Sequence, residues 1–377
     1  MIFYSLGMLG CYTTSLTMQS SSLFTPFTQE YFTEVTSSLE HPSVDNLNIL
    51  SAFLLGLKLA QSVNIDTIQQ QVEVLYAKKK GLKFIDRFTT ISGSNHVTPE
   101  TKEKLLTMED PVAHLAKINK IAGKDEATDK ILPFAPVFND SSFQDSFLKY
   151  ENEVFPIVVG ALIERLTPVV QIMQKNVPMN SFSKKNTLQK LYQANNVGGQ
   201  FISVDLRQAN WTALCYWDSS LPSWKTFLAP LLSIEQDNPT SLQSNIQKLF
   251  LDSKIFRQIT LGVALKKLGG IKLVEATQVM LIKEAGQAVS RIIGDVFSES
   301  NDEMIFRFRF RKGIIEDINA ALRKTKVGKL CRLTQFYICS KSLDDCYDIS
   351  YHELDTNKQY TLLRCATPEK VEARLQQ

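Results

Sequence analysis

Two short acidic stretches carry the chemistry in this sequence. In Val204-Asp205-Leu206 a β-rich run, Gln200 to Leu206, closes on a carboxylate. In Ser300-Asn301-Asp302-Glu303-Met304-Ile305-Phe306 a polar turn sets two carboxylates beside an apolar run. Carboxylates are the hard oxygen donors that Mg²⁺ prefers. Held side by side on a strand end and a neighbouring hairpin, they suit a pair of metal ions and phosphoryl transfer. Each stretch also has a plain structural account. An aspartate at a strand end caps the next helix, and Asp-Glu is ordinary turn chemistry. Basic residues lie between and after the acids. Lys254 and Arg257 are three apart, so on a helix they share a face, either a solvated one or a seat for phosphate. In Phe306-Arg307-Phe308-Arg309-Phe310-Arg311 strict alternation sends phenylalanines to one side of a strand and arginines to the other. Guanidinium forks bind phosphate. Arg307, Arg309 and Arg311 therefore read either as a basic surface for DNA or RNA or as charge guarding an edge strand.

The order of a strand ending in Asp, several helices, an acidic hairpin, a helix and a strand runs over roughly residues 196–340. It resembles the palm domain of polymerases and its relatives among nucleotide cyclases and tRNA-histidine guanylyltransferases. Ser300-Asn301-Asp302-Glu303 is similar to the Ser-Asp-Glu of the guanylyltransferases, with Asn301 interrupting the match. The resemblance implies an α+β fold: a helical N-terminal region plus a palm-like (ferredoxin-like) antiparallel sheet with helices packed on it. It implies that Asp205 and Asp302 hold Mg²⁺ or Mn²⁺, assisted by Glu303 or Asp295. Lys254 and Arg257 would bind the nucleoside triphosphate. Asn210 or Trp211 would sense the sugar, although Trp211 fits packing better. The expected activity is divalent-metal-dependent, polymerase-like nucleotidyl transfer on a DNA or RNA substrate. The alternative is a non-catalytic nucleic-acid-binding or assembly protein with a similar core, in which the basic strand matters and the carboxylates do not.

Positioning these residues requires a series of elements. Residues 1–44, rich in Ser, Thr and Phe, read as an irregular arm. Residues 45–180 read as a helical accessory domain, with helices from about Val44 and over Ile65–Lys80, and a long one through Phe147, Val154, Val158, Leu162, Leu166 and Val170. Pro156 and Pro168 should kink or divide that long helix. The stretch Lys120–Asp129 is charged and expected to be exposed. Residues 195–345 read as the palm-like domain, entered by a tight turn at Gly198-Gly199. Its helices are expected at Ala209–Trp217, Trp224–Leu232, Ser241–Phe250, Asp252–Lys267, Val274–Ile292 and Ile314–Lys324, and a strand at Leu333–Cys339. Residues 346–377 read as a C-terminal extension with a strand at Tyr360–Arg364 and a helical end.

Bulk properties narrow the classes. With 377 residues, 44% hydrophobic and 21% charged, the chain is globular and of a size for two or three domains. A net charge of +3, from 42 basic and 39 acidic residues, excludes binding driven by total charge but leaves room for a local patch. The 6 cysteines form no CxxC pair and the 4 histidines are dispersed, so zinc and histidine-based triads lack support. There is no GxxxxGK[ST], strand-linked GxGxxG or GxSxG motif. The apolar N-terminus lacks a preceding basic residue and is too short and polar to span a bilayer, and the expectation is an intracellular protein with reduced thiols and no membrane span. Oligomeric state is not legible.

Overall fold

The computed structural model describes residues 65–178, 187–233, 240–309, 311–342, 346–364 and 367–376. The expected arm and the helix near Val44 lie outside them. The chain divides into two compact units, Met1–Lys83 and Phe84–Gln377. Of the first, residues 65–83 are described, and they are helical.

The elements in chain order are α1 (Ile65–Ser92), α2 (Pro99–Leu105), α3 (Pro111–Ile121), α4 (Asp125–Ile131) and α5 (Ser141–Asn176). There follow β1 (Gln200–Leu206), α6 (Ala209–Trp217), α7 (Trp224–Leu232), α8 (Ser241–Asp252), α9 (Lys254–Lys267) and α10 (Ile271–Ile293). The chain then forms β2 (Ser298–Glu299), β3 (Glu303–Arg307), α11 (Ile314–Arg323), β4 (Cys331–Ser342), β5 (Cys346–Glu353), β6 (Lys358–Arg364) and α12 (Pro368–Leu375). This is the expected α+β class.

Helix starts follow local chemistry. Thr98 and Asp110 accept hydrogen bonds from the Thr101 and Ala113 amides, each ahead of a proline at the first helical position. Thr240 and Gln243 form a reciprocal capping box on α8. The helical layer of the second unit closes over rings. Phe84 and Phe88, one turn apart, meet Phe134, Phe138, Phe143 and Phe147 mostly edge to face, the geometry that aligns ring edges with faces. Helix α5 packs against α7 and α9, and its buried stripe, from Phe143 to Met173, joins theirs in one core. It is a single helix of 36 residues: Pro156 and Pro168 do not divide it. A proline removes one backbone hydrogen bond, and burial of the stripe on two neighbours offsets that loss. By length and composition α5 is the one helix among those described that could cross a membrane.

The sheet runs β2-β3-β1-β4-β5-β6, antiparallel throughout. Its first four strands, with helices linking β1 to β2 and β3 to β4, form the split βαβ arrangement of ferredoxin-like folds. One face rests on α10 and α11. Ile202, Val204, Leu206, Met304, Phe306 and Leu333 meet Leu281, Ala285, Val289 and Ile318 there. Gly286 permits the close approach, because a Cβ at that position would lie 2.1 Å from the Met304 sulfur. The opposite face carries Phe201, Ile305, Phe336, Ile338, Ile349 and Tyr351.

Two features differ from the sequence reading. Residues 346–364 extend the sheet by β5 and β6, and β5 has no counterpart in the expectation. The arginine-phenylalanine alternation does not continue as strand: β3 ends at Arg307. Phe306 and Phe308 are buried and Arg307 and Arg309 exposed, as alternation requires, but the chain leaves the ladder after Arg307. Phe310 lies outside the described residues.

Candidate functional site

Strand β1 is central, and its register builds the site. Asp205 lies directly across from Glu303 on β3 and from Arg332 on β4. Side chains opposite one another on antiparallel strands share a face. Glu303, Asp205 and Arg332 thus form a row across three strands, on the face away from α10 and α11. The acidic turn is latched to the end of β1, because the Leu206 amide donates to the Asp302 carbonyl at 2.9 Å. The Ser300 amide closes the turn on the Glu303 carbonyl at 2.8 Å, and the Ser300 hydroxyl donates to Asp302 Oδ1 at 2.9 Å.

The row is tied together by short contacts. Arg332 Nη2 donates to Asp205 Oδ2 at 2.8 Å and Nη1 to Glu353 Oε1 at 3.2 Å. Its Nε is buried with no acceptor among the described residues. Ser203 Oγ donates to Glu303 Oε1 at 2.5 Å. The Tyr360 hydroxyl donates to Glu353 Oε1 at 3.2 Å and the Thr356 hydroxyl to Oε2 at 3.0 Å. Asp205 and Arg332 keep 23% and 41% of their side-chain surface, so solvent reaches both.

Burial raises the Asp205 carboxyl above its ordinary range. Arg332 opposes the rise, Asp302 adds to it, and Lys254 opposes it from α9. Burial likewise raises Glu303. The Ser203 hydrogen bond and Arg364 oppose that rise, and the charges of Asp205 and Asp302 add to it. The Asp302 charge thus acts on both Asp205 and Glu303, and the Asp205 charge on Glu303.

Lys254 is set by local capping. Ser253 accepts from the Phe256 amide at 3.0 Å and donates to the Ile91 carbonyl at 2.5 Å, fixing the first turn of α9. Arg257, one turn on, is half-buried. Burial alone lowers its pKa, and no acceptor among the described residues answers its guanidinium. The structure thus brings Asp205, Asp302, Glu303 and Lys254 into one electrostatic neighbourhood.

Other expected residues are engaged elsewhere. Asn210 Oδ1 accepts from Gln278 Nε2 on α10 at 2.6 Å. Trp211 is buried against Trp224, and its ring nitrogen donates to the Pro222 carbonyl at 3.0 Å. Arg307 lies over the Phe201 ring, 6.0 Å from its centroid. Arg311 pairs with Asp317 at 2.9 Å, so the three arginines do not form one row. Asp295 is exposed in the link between α10 and β2. Residues not singled out from sequence, Arg332, Glu353, Tyr360 and Arg364, complete the neighbourhood. The signal for Arg332 was its place beside Leu333–Cys339, where a continued strand puts it on one face with Thr334 and Phe336.

Among the described residues no three His, Cys, Asp or Glu side chains converge closely enough to hold an ion unaided. Mg²⁺ does not require that, since it keeps several waters and takes one or two carboxylates plus substrate phosphates. Asp205 and Asp302 fit such a half-site as hard oxygen donors, and the Asp302 charge adds to the burial that raises Asp205 while Arg332 opposes it. Comparison with protein-family models, curated proteins and solved structures finds no significant match.

Proposed function

We propose that the chain is a divalent-metal-dependent nucleotidyltransferase of palm type acting on a nucleic acid. The observation that carries this reading is the row itself. Asp205 is in register with Glu303, the Asp302 carbonyl is latched to Leu206, and a cationic helix start at Lys254 acts on the same carboxylate. Asp205 and Asp302 would hold Mg²⁺ or Mn²⁺, which when bound would supply charge neutralisation at the reacting phosphate. Lys254 and the unpartnered Arg257 seat the triphosphate of the incoming nucleotide. An acceptor hydroxyl attacks the α-phosphorus and forms the new P–O bond. The bond to the β-phosphate oxygen breaks, pyrophosphate leaves, and the hydroxyl proton passes to solvent. Ser203 holds Glu303 with one oxygen committed, which keeps that acid beside Asp205.

The test is single-nucleotide transfer to a labelled oligonucleotide with Mg²⁺ or Mn²⁺, using wild type, Asp205→Asn and Asp302→Asn. Turnover in wild type and its loss by about 10²-fold or more in each variant is the expected result. Equal turnover in all three would end the proposal. One observation favours the second reading, a non-catalytic nucleic-acid binder: Asp205 already has Arg332 as counter-ion. On that reading oligonucleotide binding persists in Asp205→Asn, falls steeply with salt and shows no specific divalent effect.

A further inference from the structure

The positive charge of the chain is concentrated in one stretch. Residues 307–329 hold 8 basic and 2 acidic residues, an excess larger than the +3 of the whole chain. Helix α11 separates them into two clusters, about 15 Å apart by its rise. The first, Arg307 to Lys312, follows the end of β3 that leads away from the acid row. The second, Arg323-Lys324-Thr325-Lys326-Val327-Gly328-Lys329, holds four cations and no acid and leads into β4.

The two residues after Asp205 tie this second cluster to the acid row. The Leu206 amide reaches the Asp302 carbonyl on one side, and the Arg207 amide reaches the Leu330 carbonyl on the other, both at 2.9 Å. Arg207 Nε adds a bond to the Cys331 carbonyl at 3.1 Å. The acid turn and the basic loop therefore flank the same strand end.

The loop is fixed where it is buried and charged where it is not. Val327 is fully buried in one core with Ile318 and Leu322. The Leu322 carbonyl accepts from the Thr325 amide at 2.9 Å and from its hydroxyl at 2.8 Å. The Lys326 amide donates to Glu284 Oε1 on α10 at 3.0 Å. Gly328 fits only without a side chain, since a Cβ there would lie 2.0 Å from the Leu322 carbonyl oxygen. Arg323, Lys324, Lys326 and Lys329 are all exposed, and among the described residues none of their side chains has a partner. By contrast Arg87, Arg165, Arg311, Arg332 and Arg374 each meet a carboxylate. The helix dipole favours Arg323 and Lys324 at the end of α11. It gives no reason for Lys326 and Lys329, which lie past the helix.

Unanswered cations on a fixed loop suit a polyanion, because each phosphate taken up releases counterions and little chain freedom is lost. A lipid surface fits less well. Interfacial binding joins cations to exposed apolar side chains, and Leu322 and Val327 are buried. The loop has no aromatic ring to stack on a base, so the contact is with backbone and carries no sequence preference.

We propose that Arg323, Lys324, Lys326 and Lys329 form the contact surface for the sugar-phosphate backbone of the nucleic acid whose end is presented to the acid row. Presentation to the acid row rests on the nucleotidyltransferase reading; binding of the backbone does not. A free triphosphate carries the same phosphate chemistry, and the experiment separates the two sources.

The experiment measures anisotropy of a short labelled DNA duplex, and of the RNA duplex of the same sequence, over a series of salt concentrations without nucleotide. In parallel it measures the thermal shift produced by Mg²⁺ with a nucleoside triphosphate, and sedimentation with phosphatidylserine vesicles. The loop variant is Arg323→Gln/Lys324→Gln/Lys326→Gln/Lys329→Gln. The reference variant, Lys104→Gln/Lys120→Gln/Lys149→Gln/Lys175→Gln, removes the same charge from exposed positions on α2, α3 and α5. The loop variant should bind a duplex about 10-fold more weakly or worse, with the salt slope reduced by about 0.9 for each lost phosphate contact. The reference variant should stay within about two-fold of wild type, as should the nucleotide response of both. Unchanged duplex affinity in the loop variant overturns the proposal. So does equal weakening in the reference variant, loss of the nucleotide response alone, or a loss confined to vesicle binding. Should the fourfold variant melt early, Lys326→Gln/Lys329→Gln leaves the helix end intact and should show about half the change in slope. Asp205→Asn keeps the outcomes distinct, because it removes turnover and leaves duplex binding intact. Binding that depends on the loop in a protein without turnover would sink the enzyme reading and not the surface.

Discussion

Asp205 and Glu303 face each other across neighbouring antiparallel strands, one carboxylate at the end of β1 and the other at the start of β3. Like charges directly opposite are destabilising, and both groups are raised by burial, with the Asp205 charge adding to the rise of Glu303. The fold tolerates this at its most central strand. Functional sites are where such local conflicts with stability concentrate.

The conflict predicts a stabilised variant. A raised carboxyl binds its proton more tightly in the folded state than in the unfolded one. Its favourable contribution is full below the unfolded value near 4 and is lost as pH rises through the folded value. Metal-free protein should therefore lose stability as pH rises out of the acid range, and Glu303→Gln should remove part of that loss. At neutral pH without divalent ions the variant should melt about 2 °C or more above wild type, corresponding to roughly 1 kcal/mol. Thermal melts between acid and neutral pH check this; a lower midpoint at neutral pH in the variant would contradict it.

Arg332 predicts the opposite sign. It is the cation between Asp205 and Glu353, at 2.8 and 3.2 Å. Arg332→Gln leaves two partly buried acids unmatched, costing about 1–2 kcal/mol once solvent access is allowed for. Added Mg²⁺ or Mn²⁺ should return more of the midpoint in this variant than in wild type, because the ion takes up the missing charge. Equal recovery in both proteins would mean that Asp205 is not a ligand.

Lys124 predicts a basic limb. Its folded pKa, about 8, lies below the unfolded one. Between about 8 and 10.4 the unfolded chain holds the extra proton, so stability should rise with pH over that window. Lys124→Met should flatten the rise. The Arg364 charge adds to the lowering by burial, and removing it should shift the start of the rise to higher pH. Denaturant melts at three or more pH values read both effects.

Gly286 predicts a packing defect. Alanine there drives a Cβ into the Met304 sulfur, and overpacking of this kind costs about 1–3 kcal/mol. Met304→Ala in the same chain should return much of the loss, giving a coupling energy in a double-mutant cycle. Simple additivity of the two changes would show that α10 and β3 are not in direct contact.

Legibility in the sequence followed periodicity. Helices Ala209–Trp217 and Trp224–Leu232 and the run Gln200–Leu206 were bounded by caps, turns and apolar repeats strong enough to place them. Asp205 and the Asp302-Glu303 turn were visible because acids interrupt apolar runs there. What escaped was pairing. Nothing local says that Arg332 lies across from Asp205, since register is set by strands far apart in the chain. Strand β5 escaped because Cys346-Tyr347-Asp348-Ile349-Ser350-Tyr351 alternates with polar residues too mixed to stand out. Lys124 sits in a stretch that composition assigned to solvent; its burial comes from β6 packing on the turn.

Helix α10 belongs to two cores. Leu273, Val274 and Ala276 lie among the helices, whereas Leu281, Ile282, Ala285 and Val289 lie beneath the sheet. At about 1.5 Å per residue this rod of 23 residues spans roughly 34 Å as a single beam. A jaw-like hinge between helical layer and sheet would have to break the beam. The acid row at the ends of β1 and β3 therefore sits on a fixed frame shared with the helical layer.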